Sequence, residues 1–402
     1  MSGLLPVDEA IARLLAGAEP VGTETVPLAE AAGRVLAEPL VALRTQPPFP
    51  ASAMDGYAVR ADDVAEVPAR LTVTGIAAAG RLFPGAVGRG EAVRIFTGAP
   101  VPDGADTIAI QENVKELAGD TIEVLETVAA GRHIRAVGLD FAEGQPLLEK
   151  GRVLDAAALS LAAAANHPAL PVIGKPLVAI IATGDELLPP GSTPGPDQII
   201  ASNAYGVAAI AREAGARVLD LGIAPDRVEA ISALVEKALA ADADVIVTLG
   251  GASVGDHDVV RQTLASLGME LDFWKIAMRP GKPLMSGRLG ATRCIGLPGN
   301  PVASLVCSHL FIKPLLARLG GRPHDSHVVD AVLGAPMTEN DVRRDYVRST
   351  VSRTAGGLVA TPFGVQDSSM LKLFADADGL IIREPHAPTA KAGDPCRVVL
   401  LR

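Results

Sequence analysis

VTLGGASVGDHD, residues 247–258, ends an apolar run that starts at Ala243 and empties it into three glycines, a serine and two aspartates. A strand that only has to turn needs no more than one Gly-Asn or Gly-Asp pair. An unbroken apolar run marks a strand buried on both faces, as in a parallel sheet covered by helices. The same texture extends outward over residues 176–322. PLVAIIATGDEL (176–187), ARVLDLGIAPD (216–226), residues 271–277 and RCIGLPGN (293–300) read as further strands. NAYGVAAIAREAGA (203–216), RVEAISALVEKALA (227–240, capped by Asp226), residues 259–267 and residues 301–319 read as helices. Strands alternating with helices imply right-handed βαβ units, hence a doubly wound α/β domain at the centre of the chain.

The flanks read differently. Residues 51–139 hold short β-like pieces separated by Gly and Pro, which predicts a β-rich insert. On either side, 1–50 and 140–175 read as one discontinuous helical and mixed N-terminal linker or dimerisation domain. It carries helices at 7–16, 29–36 and after Asp155, an N-cap candidate. Three prolines within Pro47–Pro50 forbid regular helix between domain and insert. Residues 323–402 return to alternating strand patterns, with one short helix at 369–375, and predict a small C-terminal β-barrel. The expected fold class is therefore multidomain α/β plus β.

In an open parallel sheet, ligands bind outside the carboxyl ends of the strands. Thr183-Gly184-Asp185-Glu186, Asp226, the quoted loop and Pro298-Gly299-Asn300-Pro301 all fall at such ends. Gly250, Gly251 and Gly255 let the backbone approach a ligand, and Ser253 can donate to an anion. Asp256 and Asp258, with Glu186 and Asp226, form a carboxylate set suited to a hard cation with oxygen ligands. The plain alternative is that these aspartates cap helices and the glycines turn the chain. WKIAMRPGKPL (274–284) supplies Lys275, Arg279 and Lys282 around a Pro-Gly kink, either to converge on an oxyanion or as a solvated loop. Asn300 as N-cap and Pro301 at the first helical position give a helix start whose N–H groups favour an anion. SAMDGYA (52–58) and FTGAP (96–100) read locally as turns.

PFPASAMDGYAVRADD (48–63), IFTGAPVPDGAD (95–106), IIATGDEL (180–187), GGASVGDHD (250–258), WKIAMRPGKPL and LPGNPVAS (297–304) occur together and in this order. In that order they resemble the molybdopterin molybdenumtransferases, the MoeA family, to which the C-terminal part of gephyrin is similar. The resemblance spans essentially the whole chain. It implies a homodimer of four-domain subunits that binds adenylylated molybdopterin, cleaves its pyrophosphate linkage with a divalent cation, releases AMP and inserts molybdate. Mg²⁺ is the implied cation, with Zn²⁺ as the alternative. By the same resemblance, Glu186, Asp226 and Asp258 match the family's acidic positions, and Lys275, Arg279 and Lys282 its basic loop. Asp55, Thr97 and Asp140 match polar positions that would face the partner subunit's central domain, so the site would be shared between chains. Members carry either Lys or Arg at position 279, so the resemblance implies a cation there rather than a lysine in particular.

Composition narrows the field further. A net charge of −10 argues against a broad nucleic-acid footprint. The absence of a signal-peptide pattern and of any run of 18 apolar residues predicts a soluble cytoplasmic protein without membrane association. Cys294, Cys307 and Cys396 lie far apart, as reduced thiols rather than a disulfide framework or zinc knuckle. No G-x-x-x-x-G-K-[ST], H-E-x-x-H or G-x-S-x-G occurs. Two other readings stay open: a molybdopterin adenylyltransferase, whose fold resembles residues 176–322 alone, and a gephyrin-like scaffold. Transient contact with the adenylyltransferase, or with molybdoenzymes and their chaperones, is the expected traffic beyond the homodimer.

Overall fold

The computed structural model describes residues 4–250, 259–324 and 326–402. The chain forms two compact units. The smaller comprises Thr25–Ala32 and Leu36–Pro171, the larger Met1–Glu24, Gly33–Val35 and Val172–Arg402.

Helix α1 (Val7–Leu15) is amphipathic and buries Val7, Ala10 and Leu14. It joins the core of the larger unit, beside Val306, Phe311 and Leu315. A helix expected in the N-terminal domain thus packs on the central one. The helix expected over residues 29–36 does not form. A single turn, Leu28–Glu30, is all that appears, because Gly33 is left-handed at φ +68°. Arg34 is then drawn inward to pair with Glu24 and the Ile173 carbonyl.

In the smaller unit, strands β1 (Gly56–Val59), β2 (Ala69–Ala77), β3 (Glu91–Ile95), β4 (Thr107–Ile110), β5 (Val114–Glu116) and β6 (Thr121–Val124) form one sheet. Its order is β4-β1-β3-β2-β6-β5, with β2 and β3 parallel. Alternate residues feed two cores, Tyr57 and Val59 on one face and Ala58 on the other. Gly56 is obligatory, since a Cβ there would lie 2.1 Å from the Ala109 carbonyl oxygen on the paired strand. Helix α2 (Ala156–Ala164) starts as expected, with the Asp155 carboxylate accepting from the Ala158 N–H.

The larger unit is built on a second six-stranded sheet. Its strands are β7 (Leu177–Thr183), β8 (Arg217–Ala224), β9 (Val245–Leu249), β10 (Glu270–Trp274), β11 (Met285–Leu289) and β12 (Thr292–Leu297). They stand in the order β8-β7-β9-β12-β11-β10, parallel from β8 to β12, with β11 antiparallel to both its neighbours. Helices α3 (Asn203–Glu213) and α6 (Pro301–Leu319) cover one face together with α1, against Val178, Ile180 and Val247. Helices α4 (Val228–Ala240) and α5 (Val259–Ser266) cover the other, against Ala179, Ile181 and Ile246. This two-sided burial is what the unbroken apolar runs require. Helix α6 is long and apolar enough to cross a membrane, yet it is mostly buried among the protein's own side chains, as a core helix is.

The C-terminal strands β13 (Val328–Leu333), β14 (Arg344–Thr354), β15 (Gly357–Pro362), β16 (Gly379–Arg383) and β17 (Pro395–Leu400) pair β14-β15-β13-β17-β16 and back to β14, a closed barrel. The short segment Met278–Arg279 adds to β14 in parallel, so the loop after β10 is hydrogen-bonded to the barrel. Arg344 on β14 holds the Asp8 carboxylate of α1 through two bonds of 2.6 and 2.8 Å.

Candidate active site

Strand order reverses between β7 and β9: the chain leaves β7 toward β8 on one side and β9 toward β12 on the other. Loops diverge at such a point and leave a crevice at the carboxyl ends of the strands. A cleft of about 740 Å³ opens there. Thr183 and Gly184 line it from β7, Leu249 and Gly250 from β9, and Pro298 to Pro301 from the loop after β12. Gly250 sits at φ +97°, and a Cβ there would lie 2.7 Å from the Thr183 carbonyl oxygen. The two strand ends therefore touch backbone to backbone at the cleft floor. Gly251, Ser253, Gly255, Asp256 and Asp258 lie outside the described residues.

Glu186 and Asp226 both line this cleft. The Asp226 N–H donates to the Asp185 carboxylate at 3.1 Å, so three carboxylates crowd the ends of two strands. Partial burial and the charges of Asp185 and Glu186 push the Asp226 carboxyl above its usual range. A hard cation would relieve this excess of negative charge, and oxygen donors suit it. Among the described residues, no three His, Cys, Asp or Glu side chains stand close enough to share a metal ion. Of the carboxylates expected from the sequence, Glu186 and Asp226 are the two that the described residues place at this cleft. Asp226 is not the cap of α4, as the sequence pattern suggested: Arg227 takes that position, and no side chain caps it.

The start of α6 also departs from expectation. Asn300 stands at the N-cap and Pro301 in the first turn, but the Asn300 side chain makes no cap bond. Its amide donates instead to the Ser368 hydroxyl at 2.9 Å, and the Val302 N–H donates to the Ser368 carbonyl at 3.0 Å. The barrel thus satisfies a helix N–H that the sequence had left for an anion. Ser369 and Leu371, from the same barrel loop, line the cleft, and nothing in the local sequence signalled their arrival. Arg348, 1% exposed, fixes that loop: its Nε donates to Gln366 and its Nη1 to the Asp367 carbonyl. Asn203 closes the opposite side by donating to the Gly299 carbonyl at 2.7 Å, and Leu187, Ile199 and Ile200 form an apolar wall.

The three cations do not gather as one group in the cleft, which reaches Pro283 beside Lys282. Arg279 turns to the barrel, where Nε donates to Asp345 at 2.9 Å and Nη2 bonds the same oxygen. The Asp345 contact holds the guanidinium above its usual range. Lys275 keeps to the strand rim with its ammonium 4.0 Å from the Trp274 ring centre. In the smaller unit, Asp55 accepts from the Thr97 N–H at 2.7 Å and from its hydroxyl at 2.8 Å, which holds its carboxyl below the usual range. Asp55 and Thr97 are therefore brought together as a unit. Asp140 is exposed in the same unit, its N–H donating to the Gln46 carbonyl.

Comparison with known proteins gives three consecutive matches. Residues 5–166 match the MoeA N-terminal region (domain I and II), residues 179–318 a probable molybdopterin binding domain, and residues 330–401 the MoeA C-terminal region (domain IV). Molybdopterin molybdenumtransferase 2 of Mycobacterium tuberculosis is 37% identical over 385 residues, 92% of each chain. The molybdopterin molybdenumtransferase of Bacillus subtilis is 36% identical, across 99% of this chain and 94% of its own. A crystal structure of the molybdopterin biosynthesis MoeA protein from Pyrococcus horikosii superimposes with a TM-score of 0.85 at 31% identity, covering 100% of both chains.

Proposed function

Because the chain belongs to the molybdopterin molybdenumtransferase family, we infer that it is a transferase of molybdenum cofactor biosynthesis that inserts molybdenum into molybdopterin. We further propose that the substrate is adenylylated molybdopterin, seated in the cleft between β7 and β9, and that its pyrophosphate linkage is cleaved there to release AMP. The observation that carries this reading is the cleft floor: a backbone contact at Gly250 with Glu186 and Asp226 beside it. Such a floor admits a pyrophosphate close to main chain and leaves carboxylates that repel it unless a cation intervenes. Mg²⁺, or Zn²⁺ in its place, would be held by Glu186 and Asp226 with Asp256 and Asp258, and would neutralise phosphate charge as the P–O bond breaks.

The remaining roles fall to the chain's own groups. Thr183, Gly184 and Pro298 to Pro301 bound the pocket, and Leu187, Ile199 and Ile200 give it an apolar side. Lys275 and Lys282 attract molybdate, a tetrahedral dianion, while Arg279, already paired with Asp345, anchors their loop to the barrel. Phosphate binding is also assigned to Gly251, Ser253 and Gly255, which lie outside the described residues. We propose a homodimer in which Asp55, Thr97 and Asp140 face the partner's cleft, each subunit having four domains: 1–50 with 140–175, 51–139, 176–322 and 323–402. A cytoplasmic setting and transient handover to molybdoenzymes complete the reading. An adenylyltransferase or a scaffold is not favoured, since the relatives named as molybdenumtransferases match across nearly the whole chain.

The test is AMP release from adenylylated molybdopterin by the purified protein with Mg²⁺, with and without molybdate. Release that rises with molybdate is expected. Tight binding with no release under either condition would overturn the assignment of the cleft.

A further inference from the structure

We propose that Trp274 is a positioning residue for the reaction, an indole platform that holds the Lys275 ammonium at the strand rim and links it, through the same ring, to Arg261 of α5. The proposal rests on the reading of Lys275 as an oxyanion-binding group. Trp274 is the last residue of β10, and its register places it at the ligand end of the sheet. It lies opposite Met285, which lies opposite Gly296, one residue before the cleft-side end of β12. The chain carries a single tryptophan, and it stands here.

Two cations of different origin meet this ring. The Lys275 ammonium is 4.0 Å from the ring centre, and the Arg261 guanidinium, from the first turn of α5, is 4.3 Å from it. Helix α5 begins at Val259, directly after the glycine and aspartate loop. The platform therefore ties the basic segment to the helix that follows the proposed phosphate loop. The negative face of an indole attracts such cations more strongly than any other aromatic side chain does.

Lys275 is fixed from its backbone as well. It sits at φ +79°, a left-handed conformation that side-chain-bearing residues rarely adopt. Its N–H donates to the Leu284 carbonyl at 3.2 Å, and its carbonyl accepts from the Leu5 N–H at 3.3 Å. Packing alone does not account for the indole. Its Nε1 is buried with no partner among the described residues, a cost that a phenyl ring of similar shape would not carry. What the indole adds over phenyl is the stronger attraction for cations.

The experiment compares Trp274→Phe, Trp274→Leu and Lys275→Met in the full-length protein, reading kcat and the KM for molybdate in the AMP-release assay, with urea midpoints as a fold control. Trp274→Leu should raise the KM for molybdate about tenfold and Trp274→Phe about threefold, as expected for losing all or part of a cation–π contact, with kcat changing less. Wild-type tryptophan fluorescence should change on adding molybdate alone, and Lys275→Met should abolish that change. A fluorescence change that survives in Lys275→Met, or a Trp274→Leu enzyme with the same KM as Trp274→Phe and wild type, would overturn the proposal. If Lys275→Met leaves KM untouched, the oxyanion role of Lys275 falls and the platform with it. If Lys275→Met raises KM while both Trp274 variants match wild type, the platform alone falls.

Discussion

Gly250→Ala probes the meeting of β7 and β9 most directly, because two separable costs arise there. An added Cβ would stand 2.7 Å from the Thr183 carbonyl oxygen, against 3.4 Å for an ordinary contact, and that oxygen is main chain at the end of the buried strand β7. The two strand ends must therefore part by several tenths of an ångström. An L-residue at φ +97° adds a conformational cost of about 1–2 kcal/mol. Forcing extra volume into a packed site adds about 1–3 kcal/mol more. Gly222, at φ +82° on β8 with nothing within 4 Å of its would-be Cβ, carries the first cost without the second. Gly222→Ala is thus the control for Gly250→Ala. In urea titrations Gly250→Ala should lose about 2–5 kcal/mol and Gly222→Ala about 1–2. At a temperature where both remain folded, Gly250→Ala alone should lose about 10- to 100-fold in the rate of AMP release, since sub-ångström misplacement of reacting groups carries penalties of that order. Equal stability and equal rates for the two variants would refute both the close approach and its link to the chemistry.

Three more expectations follow from the same geometry. Asp226→Asn removes a carboxyl that is disfavoured as an anion: its raised folded pKa withholds stability above that value and returns it as pH falls toward the unfolded value. Without metal this variant should melt slightly higher than wild type at neutral pH, by about a degree or two, and should lose any Mg²⁺-dependent rise in melting temperature; a lower melting temperature without metal would count against the crowding. Gln366→Ala strips the partner from the buried Arg348 Nε and N–H, and should cost about 1–3 kcal/mol and raise the KM for the pterin substrate by loosening Ser369; a loss of stability with KM unchanged would detach this loop from the cleft. His309, half-buried on α6, has its imidazole lowered from 6.5 to about 4, by desolvation first and by the nearby Lys313 second, with Glu213 opposing. Its unfolded form takes a proton below about 6.5 and its folded form only near 4, so stability should decline as pH falls across that window, by up to about 3 kcal/mol; urea midpoints of His309→Gln that decline as steeply as wild type would disprove the assignment.

The doubly wound core was legible because its signal is local: seven- and five-residue apolar runs at β7 and β9, stopped by Gly184 and Gly250 and alternating with helical patterns, read as strands buried on both faces. The carboxyl-end loops were legible for the same reason. What escaped was decided by partners distant in the chain. Residues 29–36 carry a helical pattern of apolar side chains, but Arg34 finds Glu24 and the Ile173 carbonyl, and Gly33 turns left-handed. Asn300 has every mark of a capping residue, yet Ser368, 68 positions later, takes its side chain. Arg279 sits in a basic cluster, and Asp345 on the barrel claims it. Ser369 and Leu371 could not be foreseen at the cleft, because the α/β sequence carries no mark of the surface on which a barrel loop will settle.

The bond from Val302 N–H to the Ser368 carbonyl reaches beyond its own energy. A helix start stripped of such a cover is a generic trap for any small anion, phosphate and sulfate included. By covering that N–H from the barrel, the chain ties the start of α6 to the loop that carries Ser369, so the mouth of the cleft is held by two segments far apart in sequence.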